Sequence, residues 1–303
     1  MRSSTPASAI SENAMTPPAA DGAMAPRRPD GMWKRFHRNR AALFGLALTI
    51  SFVFVGLFAP LLAPYGGLDM GDSFVPPSRA HLLGTDSLGS DVFSNVIYGT
   101  RVSLMVGFVS VLASTLIGVA IGAIAGFFGG LVDNRLMRLT EMFQVLPQFF
   151  LAIVIIAIFG SSIWSIIFVI GVLNWPPTAR LLRAEFLALR EREYVEAARP
   201  LGMSNFDLMA REILPNALSP VIVNATLQIS GAILLEASLS FLGLGDPDAM
   251  SWGVMLHNAQ DFFNRAWWMA AFPGFALFLT TLGVNLMGDG LNDTLNPKMR
   301  TGP

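Results

Sequence analysis

Long uncharged apolar runs alternate along this chain with short polar stretches, and the run lengths predict its architecture. The hydrocarbon core of a bilayer takes about 20 apolar residues in a helix. Residues 41–68 carry no charged side chain and supply one span; residues 102–132 supply a second. Residues 142–179 form an uncharged run of 38. At about 1.5 Å per residue such a run would extend about 57 Å, too far for one crossing. It divides at Phe159-Gly160-Ser161-Ser162 into a third span, beginning near Leu136, and a fourth. Residues 213–235 are uncharged, Glu236 interrupts, and the fifth span ends near Gly243; residues 266–288 make the sixth. Of the 20 Lys and Arg residues, only Arg79, Arg101 and Arg265 fall on one side of this arrangement. The positive-inside rule then puts both termini in the cytoplasm, which requires the even number of spans counted.

Composition agrees. The chain is 53% hydrophobic and 14% charged, against about 25% charged in soluble domains. A net charge of −1 gives no ground for nucleic acid binding, and the absence of cysteine excludes disulfides, cysteine metal sites and thiol catalysis. Residues 1–32, rich in Pro, Ala and Ser, are expected to be a disordered cytoplasmic tail. The remainder divides into 33–100 (first span and extracytoplasmic segment), 101–290 (a five-helix core with a loop at 180–214) and a 291–303 cytoplasmic tail.

The 180–214 loop is polar and helix-prone. A helix leaving the membrane over Arg180–Glu196 should end at Pro200 and Gly202. Ser204, with Asp207 three residues on, has the spacing of a helix cap. Phe206, Met209 and Ile213 then fall on one face of a short amphipathic helix, and Pro215 opens the next span. Periodicity alone suits an interfacial helix on lipid headgroups as well as a docking knob for a soluble partner.

The residues carry a further signal. Glu196-Ala197-Ala198, three residues, Gly202, eleven residues, Leu214-Pro215 resembles the EAA signature of ABC-importer permeases; Glu212 stands where the family often has an aliphatic residue. "HLLGTDSLGSDVFSNVIYGTRVSLMVG" (81–107), "DPDAMSWGVML" (246–256), Trp267-Trp268, Phe272-Pro273-Gly274 and "NLMGDGLNDTLNP" (285–297) resemble the second, C-type permease of the dipeptide/oligopeptide/nickel importers. The resemblance covers about residue 33 to the end. It implies an all-α membrane protein with six transmembrane helices, the type I ABC importer permease fold and a cytoplasmic coupling helix. Glu196, Ala197, Ala198, Gly202, Ser204, Phe206, Met209, Leu214 and Pro215 would meet an ATPase subunit. It further implies a homologous permease as partner, two ABC ATPases carrying ATP and Mg, an extracytoplasmic substrate-binding protein, and the cytoplasmic membrane of a prokaryote as location. Peptides are the implied cargo; nickel complexes, opines and oligosaccharides remain open.

The chain itself holds no G-x-x-x-x-G-K-[ST] loop, and its lysines, Lys34 and Lys298, lie in no such context. His37, His81 and His257 lack metal-ligand spacing, and no nucleophile–base set is visible, so neither catalytic nor metal residues are assigned. A self-contained channel or secondary transporter would leave the polar loop unemployed. Within the membrane, Ser110, Ser114, Gly118, Gly122 and Gly126 form a small-residue ridge, suited to packing within the chain or against another subunit. Pro147 and Pro176-Pro177 should bend or end their helices. Glu236, an acid in an apolar run, could line a translocation path or satisfy backbone groups near the outer surface. The segment 65–100, with Asp69, Asp72, Asp86 and Asp91 against Arg79, is read as a turn-rich cap or as a surface for the binding protein.

Overall fold

The computed structural model describes residues 36–66 and 70–295. The 1–32 tail, Asp69 and the part of the 291–303 tail beyond Leu295 lie outside the described residues. The fold is all-α. Among the described residues the only pairing of extended backbone is two isolated antiparallel bridges, Met70–Ser90 and Thr85–Asp91. Five helices are long and apolar enough to cross a membrane, or six if a bent pair counts as one span.

Helix α1 (Arg40–Leu57) starts at Asn39, whose side chain accepts from the Ala42 amide, and a short α2 (Ala59–Leu62) comes next. Asp91 caps α3 (Val92–Phe128) by accepting from the Ser94 amide at 2.8 Å. At 37 residues, α3 begins ten residues before the expected second span. Its length of about 56 Å exceeds the hydrocarbon thickness. The third span is broken: α4 (Gly130–Val145) and α5 (Gln148–Phe159) meet at 83° around Leu146-Pro147. Proline disfavours helical geometry in the residue before it, and Leu146 is extended.

The reversal after Phe159 uses Gly160, at φ +90, and Ser162, which caps α6 (Ile163–Leu173). A left-handed backbone there suits glycine alone. Helix α7 (Trp175–Leu189) continues the same span with Pro176-Pro177 in its first turn, where the missing N–H costs least. Past a polar loop come α10 (Leu214–Leu239), α11 (Trp252–Ala259) and α12 (Trp268–Leu295).

The bundle therefore has two ends. One, the cap end, gathers residues 70–91, the 160–162 reversal and residues 245–267; Ile163 donates its amide to Asp246 at 2.8 Å. There Trp268 Nε1 donates to the Thr85 carbonyl, and the Arg265 guanidinium lies 4.2 Å from the Phe74 ring centroid. The other, the loop end, carries the chain between α7 and α10, with the start of α1 tied to α12 by Asn39 and Asp293.

Helix α3 is the mast of the bundle. A Cβ placed on Gly118 would fall 2.6 Å from the Thr178 Cβ, one on Gly122 2.5 Å from the Ala179 carbonyl oxygen, and one on Gly126 2.5 Å from the Phe186 Cβ. Ser110 and Ser114, both buried, turn their hydroxyls onto their own helix carbonyls and lie beside Gly171. The whole ridge thus runs along the span Ile163–Leu189 of the same chain. Replacing Gly122 by Leu should cost about 1–3 kcal/mol or more through overpacking against rigid backbone. Its thermal midpoint in detergent should fall clearly below those of the wild type and Phe150→Leu, which alters only an outward side chain. Equal midpoints would remove the ridge from the fold's supports.

Candidate functional site

The loop end holds the residues the sequence singles out. Helix α7 stops at Leu189 rather than continuing to Glu196. Arg190 leaves the helix and donates to the carbonyls of Gly126 and Phe127 at 3.2 and 3.4 Å, covering acceptors at the C-terminus of α3. A separate short helix, α8 (Glu193–Ala198), comes after it. It buries Val195 and Ala198 among Phe186, Leu208 and Ile213, and turns Glu196 and Ala197 outward. Gly202, at φ +84 with nothing within 4 Å of a Cβ position, reverses the chain. A side chain there would be strained by the backbone, not by its neighbours.

Ser204 caps the next helical turn: its hydroxyl accepts from the Asp207 amide at 3.1 Å. The expected short amphipathic helix, separate from the span opened by Pro215, is corrected here. Helix α9 (Asn205–Asp207) passes through a π turn (Leu208–Ile213) directly into α10, giving one 40-residue rod, Asn205–Leu244. The i→i+5 spacing of the π turn brings Leu208 and Ile213 to one buried side, with Met209 and Leu214 half-buried beside them. Phe206 is off that face and 76% exposed; Pro215 is exposed in the first turn of α10. The α-helical spacing of Phe206, Met209 and Ile213 misled because the turn is not α.

One residue was missed. Leu201 is 84% exposed, between Pro200 and Gly202, and stands with Phe206 as an uncovered apolar side chain of this loop. The signal was a large apolar residue in a tight turn. Beside it opens a cleft of about 880 Å³ lined by Phe127, Arg190, Glu191, Glu196, Arg199 and Pro200. The bidentate pair of Arg183 with Asp133, at 2.5 and 2.6 Å, ties α7 to α4.

Glu236 sits at the opposite end. It is 2% exposed and enclosed by protein. Oε1 accepts from the hydroxyls of Ser240 and Ser251 at 2.8 and 2.7 Å, and Oε2 from Ser103 at 3.4 Å. Ser251 also caps α11, Trp252 donates its backbone amide to Ser103 and its indole to the Val96 carbonyl, and Gly253 lets α11 close on Ala237. Among the described residues its hydrogen-bond partners are side-chain hydroxyls of three segments.

Two acidic residues of the cap are structural as well. Asp91 caps α3 and pairs with His81 at 3.0 Å, and Asp86 accepts the Leu88 and Ser90 amides. Burial raises the Asp86 pKa above its ordinary value, partly offset by those amides. Among the described residues no group of three or more His, Cys, Asp or Glu could hold a metal ion.

An all-α bundle of helices long and apolar enough to cross a membrane, with a polar helical loop between two of them, defines a multi-pass membrane protein. Residues 118–301 match the family described as binding-protein-dependent transport system inner membrane component. Residues 30–77 match the N-terminal TM domain of oligopeptide transport permease C. The chain is 40% identical over 272 residues to the dipeptide transport system permease protein DppC of Alkalihalophilus pseudofirmus, covering 89% of this chain and 90% of that one. It is 40% identical over 293 residues to the di/tripeptide transport system permease protein DppC of Pseudomonas aeruginosa, with 93% and 97% covered. It is 38% identical over 273 residues to the glutathione transport system permease protein GsiD of Pectobacterium atrosepticum, with 89% and 91% covered. The chain belongs to the inner-membrane permeases of binding-protein-dependent ABC importers, as a C-type subunit of the dipeptide/oligopeptide/nickel group.

Replacing Glu236 by Leu would leave up to three buried hydroxyls without their acceptor, at about 1–3 kcal/mol for each unsatisfied group. Glu236→Leu should therefore lower the thermal midpoint more than Glu236→Gln, which keeps an acceptor oxygen. Equal midpoints for Glu236→Leu and wild type would show that the network does not hold α11 in place.

Proposed function

We propose that the chain passes peptides across the inner membrane as one of two homologous permease subunits, driven by two ABC ATPases bound at its loop end. The observation that carries this is the loop itself. Helix α8 and the Gly202 turn present Leu201 and Phe206 outward while Val195, Ala198, Leu208 and Ile213 fix them to the bundle. An exposed apolar pair on a rigid mount is what a protein groove would take up. The ATPase-contacting set is Glu196, Ala197, Gly202, Ser204 and Phe206, joined by Leu201, with Ala198, Met209, Leu214 and Pro215 behind them. ATP and Mg belong to the partners.

On this reading the loop end and both chain termini are cytoplasmic, in keeping with the basic residues at that end. The cap end faces a substrate-binding protein. Residues 101–290 form the permease core, with the coupling loop at 180–214. The names of the similar permeases, which give dipeptides, di- and tripeptides and glutathione, support peptides as the cargo. Coupling requires the loop to bind differently in the two states of the ATPase pair, because a contact of equal strength in both shifts nothing.

Purification of the tagged chain from its host in mild detergent should bring a second permease and P-loop ATPases with it. In the reconstituted complex, Leu201→Asp with Phe206→Asp should lower ATP-dependent peptide uptake at least about tenfold, as loss of a central apolar contact does. Membrane insertion should be unchanged. Gly202→Asp should do the same by straining the turn. Normal uptake by both variants would remove the loop from coupling.

A further inference from the structure

Four side-chain amides converge on the junction of α6 and α7. Asn174 donates to the Ile170 carbonyl at 2.9 Å and Gln148 to the Leu173 carbonyl at 3.2 Å. Asn224 and Gln228, one turn apart on α10, both donate to the Thr178 hydroxyl oxygen, at 3.1 and 3.0 Å. Thr178 is fully buried, pressed against Gly118, and so is a fixed anchor. All four residues are half-buried, and the Gln228 carbonyl oxygen is fully buried. Asn224 stands midway along the Asn205–Leu244 rod, deep in the span.

A primary amide offers two N–H donors and a carbonyl acceptor. Asn224 and Gln228 each make one hydrogen bond, and the Gln228 carbonyl oxygen has no partner. Lipid cannot satisfy what remains, so polar groups at this depth face protein or water. The outward faces elsewhere differ: Phe44, Ile50 and Phe54 on α1 are joined by Ser51, whose hydroxyl donates to the Ala47 carbonyl, and Phe150, Val154 and Ile158 on α5 are apolar. On α10 the strip continues from Gln228 toward the cap end through Gly231 and Ser238, exposed and small, with Leu227 and Leu234 at its border.

We infer that Asn224 and Gln228, held by Thr178 at the α6–α7 junction, form a peptide-contacting station on the wall of the translocation path. The substrate class rests on the proposed function. The chemistry fits it: a peptide backbone presents N–H and C=O groups whatever its side chains, and an uncharged amide can meet both. Such a station binds without selecting sequence and without the tight grip of a charge pair.

The chain has no cysteine, so single substitutions can be read directly. Asn224→Cys, Gln228→Cys and the lipid-facing control Val154→Cys are made in the assembled complex in nanodiscs. Each is treated with a charged, water-soluble methanethiosulfonate. The thiols at 224 and 228 should react while that at 154 stays inert. Transported dipeptide, presented with its binding protein and ATP, should slow both reactions several-fold. Thiols as inert as the control would mean lipid or a sister subunit covers the strip, and a rate unchanged by peptide would mean a wet crevice without substrate; either overturns the station. If the cysteine variants fail to assemble, Asn224→Ala and Gln228→Ala should raise the KM for peptide uptake with peptide-free ATPase activity intact; an unchanged KM overturns it equally. A wild-type complex that takes up no peptide would count against the proposed function, whereas peptide uptake with unreactive thiols would count against this station alone.

Discussion

Inside a bilayer, apolar side chains gain nothing by leaving lipid for protein, so spans are held by close approach and by polar contacts. The α3 ridge meets that constraint. Its three glycines let the backbone of α7 approach until an added methyl group would strike Thr178, Ala179 or Phe186. Much else hangs on this contact. It fixes Thr178, on which the α10 amides converge, and Phe186, on which α8 rests. It also places Arg183, a turn further along, to hold α4. On the proposed reading, a loop that takes force from a soluble partner would need such a base.

The cap end is held by different chemistry. Glu236 collects hydroxyls from three segments, and Ser251, Trp252 and Gly253 each have a separate task there: acceptor and cap, indole donor, and clearance for Ala237. An acid in an apolar run invites a reading as part of a transport path. Within this chain, the hydroxyls of Ser103, Ser240 and Ser251 enclose it and link α11 to α3 and α10. The cost of burying a carboxyl is met only because several donors converge on it.

Much of this was legible in the sequence. Run lengths and breakers placed the spans, because apolar length and Gly160 or Pro147 act locally. The cap at Ser204 was legible for the same reason. The start of α3 was not, because Val92–Thr100 is polar enough to pass for loop until the Asp91 cap is seen. The shape of the 180–214 loop was misread because a π turn leaves no mark in a pattern counted at 3.6 residues per turn. The amides on α10 were passed over since two polar residues one turn apart mean little until Thr178, 46 residues earlier than Asn224, is found between them.

The correction at the loop alters how coupling would work. A free-standing surface helix joined to its span by a flexible hinge would absorb displacement. Here the residues after Ser204 are helical from Asn205 to Leu242, about 57 Å at 1.5 Å per residue, before Gly243 leaves helical geometry at φ +83. Phe206 lies at one end, Asn224 and Gln228 at the middle, and Glu236 with its serines near the other. A push at the loop end would therefore reach the amides and the cap through the 208–213 turn and α10. Compliance is left to Gly202, whose left-handed turn lies on the near side of Ser204, and to the wide turn at 208–213, whose hydrogen-bond ladder is looser than that of an α-helix. On the proposed reading, the ATPase pair would move the rod as a lever, with the α3 ridge holding α7 still beside it.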